Sequence, residues 1–189
     1  MTTPRLGLTP TLAGIALCVA LLSGLAAPAG AQSTSSFYYD SHGQLITTGR
    51  SDGLVRNYSY DLASNRTAAS SQVLTPHAAP DRLASGEILF QGQWLNSPDG
   101  RFGMTLQADG NLVLYRHATG AALWGSNTLS RATVFLAMQS DGNLVLYGPQ
   151  SQVIWMSGSH GANPNAAMQN DGNFVVTASP NWSTQTCCY

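Results

Sequence analysis

The phrase QADGNLVLY at Gln107–Tyr115 returns as QSDGNLVLY at Gln139–Tyr147 and, with a changed ending, as QNDGNFVVT at Gln169–Thr177. The starts lie 32 and 30 residues apart. A repeat of this period marks one supersecondary unit that buries its apolar face by stacking against its copies. Each phrase follows an alternating apolar run: Phe102, Met104 and Leu106; Val134, Leu136 and Met138; Ala166 and Met168. Each is followed by a tryptophan among small polar residues, at Trp124, Trp155 and Trp182. Alternation with period two means strands, and no segment sustains a helical period. The unit is therefore strand, turn, strand, loop and Trp-bearing strand. Three such units predict an all-β, closed three-fold architecture, with Leu83–Pro98 supplying the opening strands of the first unit.

Within QxDxNxVxY each named residue is two from the next. On one straight strand the five would span about 26 Å at ~3.3 Å per step, too far for one small ligand. Asp-Gly-Asn at the centre is a turn signal, so the phrase straddles a hairpin. The apolar pattern then sets the loop's parity. A two-residue loop at Asp109-Gly110 would turn Leu112 and Leu114 away from the face of Leu106. An odd loop of three or five residues, pairing Gln107 with Val113 and Thr105 with Tyr115, turns the leucines inward. Gln107, Val113 and Tyr115 then gather outside, with Asp109 and Asn111 above them. The second unit repeats the set as Gln139, Asp141, Asn143, Val145 and Tyr147. The third keeps Gln169, Asp171, Asn173 and Val175 but has Thr177 for the tyrosine. Asp accepts hydrogen bonds, the amides both donate and accept, and valine offers an apolar surface. Such a patch suits adjacent hydroxyls beside a C–H edge, as on a hexose. A shallow wet site of this kind binds at about millimolar strength, ~4 kcal/mol, so several copies on one body give useful avidity.

Composition removes other functions. Charged residues are 9% of the chain and the net charge is −1, which leaves neither a nucleic-acid footprint nor a polybasic membrane patch. His42, His77, His117 and His160 are scattered over loops, and no catalytic triad or metalloprotease motif is present. Asp109, Asp141 and Asp171 sit in separate units and cannot act as an acid–base pair. One carboxylate per turn is too few for calcium. The chain is expected to be no enzyme and to use no metal or cofactor.

Residues 1–31 read as a secretory leader: one charge at Arg5, an apolar run from Leu12 to Leu25, and Ala29-Gly30-Ala31 before Gln32. The mature chain is expected to be secreted or periplasmic, with no membrane insertion after cleavage. Residues 70–82 lack periodicity and read as a linker. Residues 32–69 form a Tyr-rich β segment in which Tyr39-Asp40 recurs as Tyr60-Asp61. With Gly43, Leu45 and Asn65-Arg66-Thr67, the segment resembles the tyrosine–aspartate repeats of Rhs-type cell-surface and toxin proteins. Ser64 stands where that pattern has glycine. Two copies suggest a hairpin or two, loosely docked. Asn57, Asn65 and Asn181 lie in N-x-S/T sequons. Residues 187–189 form a Cys-Cys-Tyr tail whose adjacent thiols leave a vicinal disulfide, pairing between chains and free thiols all open.

Over residues 83–186 the three phrases resemble the sugar sites of the bulb-type, snowdrop-like mannose-specific lectins of monocots. The resemblance implies a β-prism II fold, with three four-stranded antiparallel sheets about a pseudo-three-fold axis and the three tryptophans at the centre. It implies that Asp109 and Asn111 hold the axial 2-hydroxyl of mannose, Gln107 the 3-hydroxyl and Tyr115 the 4-hydroxyl, with Val113 under the ring; unit two repeats these roles. Plant members carry an internal disulfide where this chain has Gly110 and no cysteine. Many relatives dimerise by exchanging the last strand, here Asn181 to Thr186. The leading expectation is a secreted lectin for mannose-containing glycans; the alternative is a bacteriocin- or toxin-associated protein that uses the fold to target a cell envelope.

Overall fold

A computed structural model describes residues 33–178 and 181–187. The expected leader, Cys188 and Tyr189 lie outside them. The first sheet is a meander of β1 (Ser35–Tyr39), β2 (Leu45–Arg50), β3 (Leu54–Tyr60) and β4 (Arg66–Val73). The two Tyr-Asp pairs make equivalent turns in it. Asp40 Oδ1 accepts from the amides of His42 and Gln44, and Asp61 Oδ1 from those of Ala63 and Asn65. The Gln44 and Asn65 amides hold these carboxyls below the ordinary aspartate range. Gly43 (φ 77°) and Ser64 (φ 67°) take the left-handed position in the two turns.

This sheet is larger and better docked than the expected hairpins. Tyr38 and Val55 share a core with Ile88, Phe90, Val134 and Phe135. The Tyr38 hydroxyl donates to the Thr133 carbonyl at 2.6 Å, and burial pushes its pKa up to about 12, so it remains a donor. The expected linker is partly strand: Ser70 to Val73 continue β4, and β5 (Thr75–Pro76) pairs in parallel with β7 (Glu87–Phe90). Proline fits there because β5 is an edge strand.

The next stretch departs from its reading as the opening of unit one. β6 (Arg82–Ala84), β7 and β8 (Trp94–Asn96) go to three different sheets. β8 joins β9 (Phe102–Leu106), β10 (Leu112–Arg116) and β11 (Ala121–Gly125) of unit one. β7 joins β12 (Phe135–Met138), β13 (Leu144–Tyr147) and β14 (Val153–Met156) of unit two, in a sheet that β5 extends to five strands. β6 joins β15 (Asn165–Met168), β16 (Phe174–Thr177) and β17 (Trp182–Ser183) of unit three. Each repeat thus supplies three strands, and one short segment supplies every fourth strand and closes the prism. β17 pairs with β16 of its own chain. This is the β-prism II fold.

The inner faces meet on the axis. Leu106, Leu112, Leu114, Leu136, Leu144 and Leu146 are wholly buried there. Trp124, Trp155 and Trp182 pack edge to face, with centroids 5.2 to 5.9 Å apart, the geometry favoured by the ring quadrupole. Trp155 is partly buried, and Trp155→Ala removes both of its ring contacts; it is expected to cost about 1–3 kcal/mol, read as a fall in the denaturant midpoint.

Candidate functional site

Each DGN turn is a three-residue hairpin loop. The Gly110 amide donates to Gln107 O at 3.1 Å, and the Gln107 amide donates to Asn111 O at 2.9 Å. Gly110 sits at φ 91°, so the loop is a β-turn followed by a left-handed glycine. Units two and three repeat it with Gly142 (φ 94°) and Gly172 (φ 88°). Glycine is required for space as well: a Cβ on Gly110 would lie 1.8 Å from Arg131 O.

The expected parity is right and the expected pairing is two residues out. Gln107 faces Asn111 rather than Val113, Val113 pairs with Thr105, and Tyr115 with Gly103. The tight glycine closes the loop one pair earlier. Leucines still face in, and the five site residues still share the outer side. Val113 and Val145 are only 4% and 2% exposed, so they floor the patch instead of projecting from it.

The turn positions the polar groups. Asp109 Oδ1 accepts from the Asn111 amide at 3.0 Å, which fixes the carboxylate and leaves Oδ2 open. Asn111 Oδ1 accepts from Ser126 Oγ at 3.0 Å and from the Thr128 amide at 3.2 Å. A backbone N–H must donate, so the oxygen of this carboxamide faces inward and Nδ2 remains as a donor. Ser126 Oγ also accepts from the Leu112 amide, and Thr128 Oγ1 donates to Gly110 O. The amide of Asn111 therefore does not both donate and accept towards a ligand, as the sequence suggests; it donates. Gln107 Nε2 donates to the Tyr115 hydroxyl at 2.8 Å, leaving Oε1 and the phenolic proton to face outward.

Unit two has the same frame. Asn143 Oδ1 accepts from Ser157 Oγ and the Gly158 amide, each at 3.1 Å, and Gln139 Nε2 reaches Tyr147 OH at 2.6 Å. In unit three Asn173 Oδ1 accepts from Thr184 Oγ1 and the Thr186 amide. Thr177, however, donates to Asn165 O, and Gln169 is exposed without a tyrosine to hold it. The third site keeps its aspartate and asparagine and loses its Gln–Tyr half.

Two features escaped the sequence reading. One is the S/T-x-S/T pair two residues after each tryptophan: Ser126 and Thr128, Ser157 and Ser159, Thr184 and Thr186. Its regular offset from the tryptophan is a signal that was there to use. The other is the residue opposite each site valine: Gly125, Met156 and Ser183. A Cβ on Gly125 would lie 3.2 Å from Asn111 Nδ2. Met156 places its sulfur 3.7 Å from Asn143 Nδ2 and so covers the donor that unit one leaves open.

Comparison with known proteins gives the family. Over 109 residues, 55% of its length, the chain is 36% identical to a mannose-specific lectin of Aloe arborescens and spans 95% of it. Among solved structures it resembles the Japanese Marasmius oreades lectin, with a TM-score of 0.53 and 30% identity over 59% of this chain and 96% of that one. It also resembles a monomeric monocot mannose-binding lectin from Gastrodia elata, with a TM-score of 0.50 and 34% identity over 57% and 98%. No family model matches the chain. The chain belongs to the bulb-type mannose-specific lectin family.

Ser126→Ala strips a partner from the buried Leu112 amide and from Asn111 Oδ1. It is expected to lower unfolding stability by about 1–3 kcal/mol in urea titrations.

Proposed function

We propose that the chain is an exported lectin that binds mannose-containing glycans through units one and two, with unit three as a weaker site. The observation that carries this reading is the pairing of an open Asp Oδ2 with an outward Asn Nδ2 on one turn, beside a Gln–Tyr pair. A single hydroxyl can donate to the carboxylate and accept from the amide at once. An axial 2-hydroxyl, which distinguishes mannose from glucose, is assigned that place. The 3-hydroxyl goes to Gln107 and the 4-hydroxyl to Tyr115, over the Val113 floor. That the Aloe arborescens relative is mannose-specific and the Gastrodia elata relative mannose-binding supports the sugar. The apolar leader read over residues 1–31 supports export. Weak sites set apart on three sheets of one body favour multivalent glycans over single sugars.

Isothermal titration with methyl α-mannoside tests the assignment. Binding at about millimolar Kd is expected, and Asp109→Ala with Asp141→Ala should weaken it by about 10- to 100-fold, since each change removes a hydrogen bond to a charged acceptor. No binding at tens of millimolar, or an unaltered Kd in the double variant, contradicts it. In an Asp109→Ala background, Met156→Gly should uncover Asn143 Nδ2 and tighten the remaining binding by about two- to tenfold, seen in the same titration.

A further inference from the structure

The outer faces of the three sheets differ most on the fourth strand, next to each site. Trp94 of β8 lies opposite Thr105 and Asn96 opposite Gly103. The matching residues in unit two are Ile88 and Phe90, opposite Ala137 and Phe135. Both are buried against the N-terminal sheet. In unit three they are Arg82 and Ala84, opposite Ala167 and Asn165, with Arg82 paired to Asp81. This part of the outer face is covered in unit two and exposed in units one and three, and of the two exposed faces only that of unit one carries a large aromatic.

Trp94 is shaped into a platform. Its indole reaches across β9 to stand 6.1 Å from the Tyr115 ring and 5.5 Å from the His117 ring. Gly103 makes this crossing possible, because a Cβ there would lie 2.9 Å from Trp94 Cε3, 2.8 Å from Asn96 Oδ1 and 2.7 Å from His117 Nε2. The strand β9 beneath is buried on both faces, whereas Trp94 itself remains 39% exposed. Asn96 Oδ1 and His117 Nε2, 3.1 Å apart, supply a polar rim. The other three tryptophans are partly buried and pack against the core and one another. An exposed indole beside polar groups, one ring away from a hydroxyl-binding tyrosine, has the make-up of a carbohydrate contact: an apolar face for C–H groups and a polar edge for hydroxyls.

We propose that this face is a second saccharide subsite, continuous with site one, in which Trp94 stacks against the sugar next to the bound mannose and Asn96 and His117 meet its hydroxyls. The proposal rests on the lectin reading of site one. It makes unit one selective for a disaccharide or longer glycan, while unit two, whose matching strand lies under the N-terminal sheet, takes a single terminal sugar.

The test uses the full chain carrying Asp141→Ala and Asp171→Ala, so that unit one is the site observed. Methyl α-mannoside and a series of α-linked dimannosides are titrated in turn. At least one dimannoside should bind about three- to tenfold more tightly than methyl α-mannoside. Trp94→Ala should abolish that advantage and leave methyl α-mannoside unchanged, and Trp94→Phe should retain part of it. His117→Ala, at an exposed position, should reduce the dimannoside alone. Equal affinity for all the sugars, or an advantage that survives Trp94→Ala, overturns the subsite while leaving site one intact. Equal losses for both sugars in Trp94→Ala also overturn it, because Trp94 would then act only by holding Tyr115. If the unmodified chain binds no mannoside at all, the lectin reading itself fails.

Discussion

A carboxamide oxygen turned inward underlies the arrangement of each unit. Asn111 Oδ1 is held by a hydroxyl and an amide from the strand-end after Trp124, and the same bonds recur at Asn143 and Asn173. This clamp ties the hairpin to the third strand of its sheet. It satisfies a half-buried polar group that would otherwise be costly, and it leaves only one end of the amide facing out. The site's donor pattern is therefore a by-product of how the sheet is fastened. Residues that never approach a ligand, such as Ser126 and Thr128, decide what Asn111 can offer to one.

On this three-fold inner frame the outer faces have diverged. Opposite the site valine stand Gly125, Met156 and Ser183, giving an open site, a covered one and an intermediate one. Unit three keeps the clamp but lacks the tyrosine. Unit two gives its fourth-strand surface to the N-terminal sheet, and Tyr147 stacks 5.1 Å from Phe135 at the edge of that second core. The inner residues are constrained by one another on the axis, so repetition persists there. The outer residues meet solvent, a partner sheet or a ligand, and each has followed its own neighbour.

Much of this was legible in the sequence because it follows from local rules. Period-two alternation fixed which side of Leu106 and Leu112 faces the core, and the family resemblance implied that the three tryptophans meet at the centre. Thr177 announced the incomplete third site. The residues from Leu83 to Pro98 misled for the opposite reason. Strands of three or four residues carry too little pattern to name their partner, and each pairs with a strand far along the chain. The loop length came out two residues short of the expected pairing because an odd parity fits more than one register, and only the left-handed Gly110 selects between them. The N-terminal sheet was underestimated because its docking depends on Tyr38 meeting Thr133, a contact across 95 positions.

The claim that most needs a direct measurement is that Asn111 presents its amide protons outward while its oxygen stays fixed within the sheet. A ¹⁵N–¹H NMR titration with methyl α-mannoside, following the side-chain amide resonances of the asparagines, measures this. The account predicts that the Asn111 Nδ2 protons shift progressively and saturate with the sugar, while the amide of Thr128 keeps its hydrogen-bonded shift throughout. Sugar-dependent shifts elsewhere on the chain with the Asn111 side chain unmoved, or release of the Thr128 amide on binding, would contradict it.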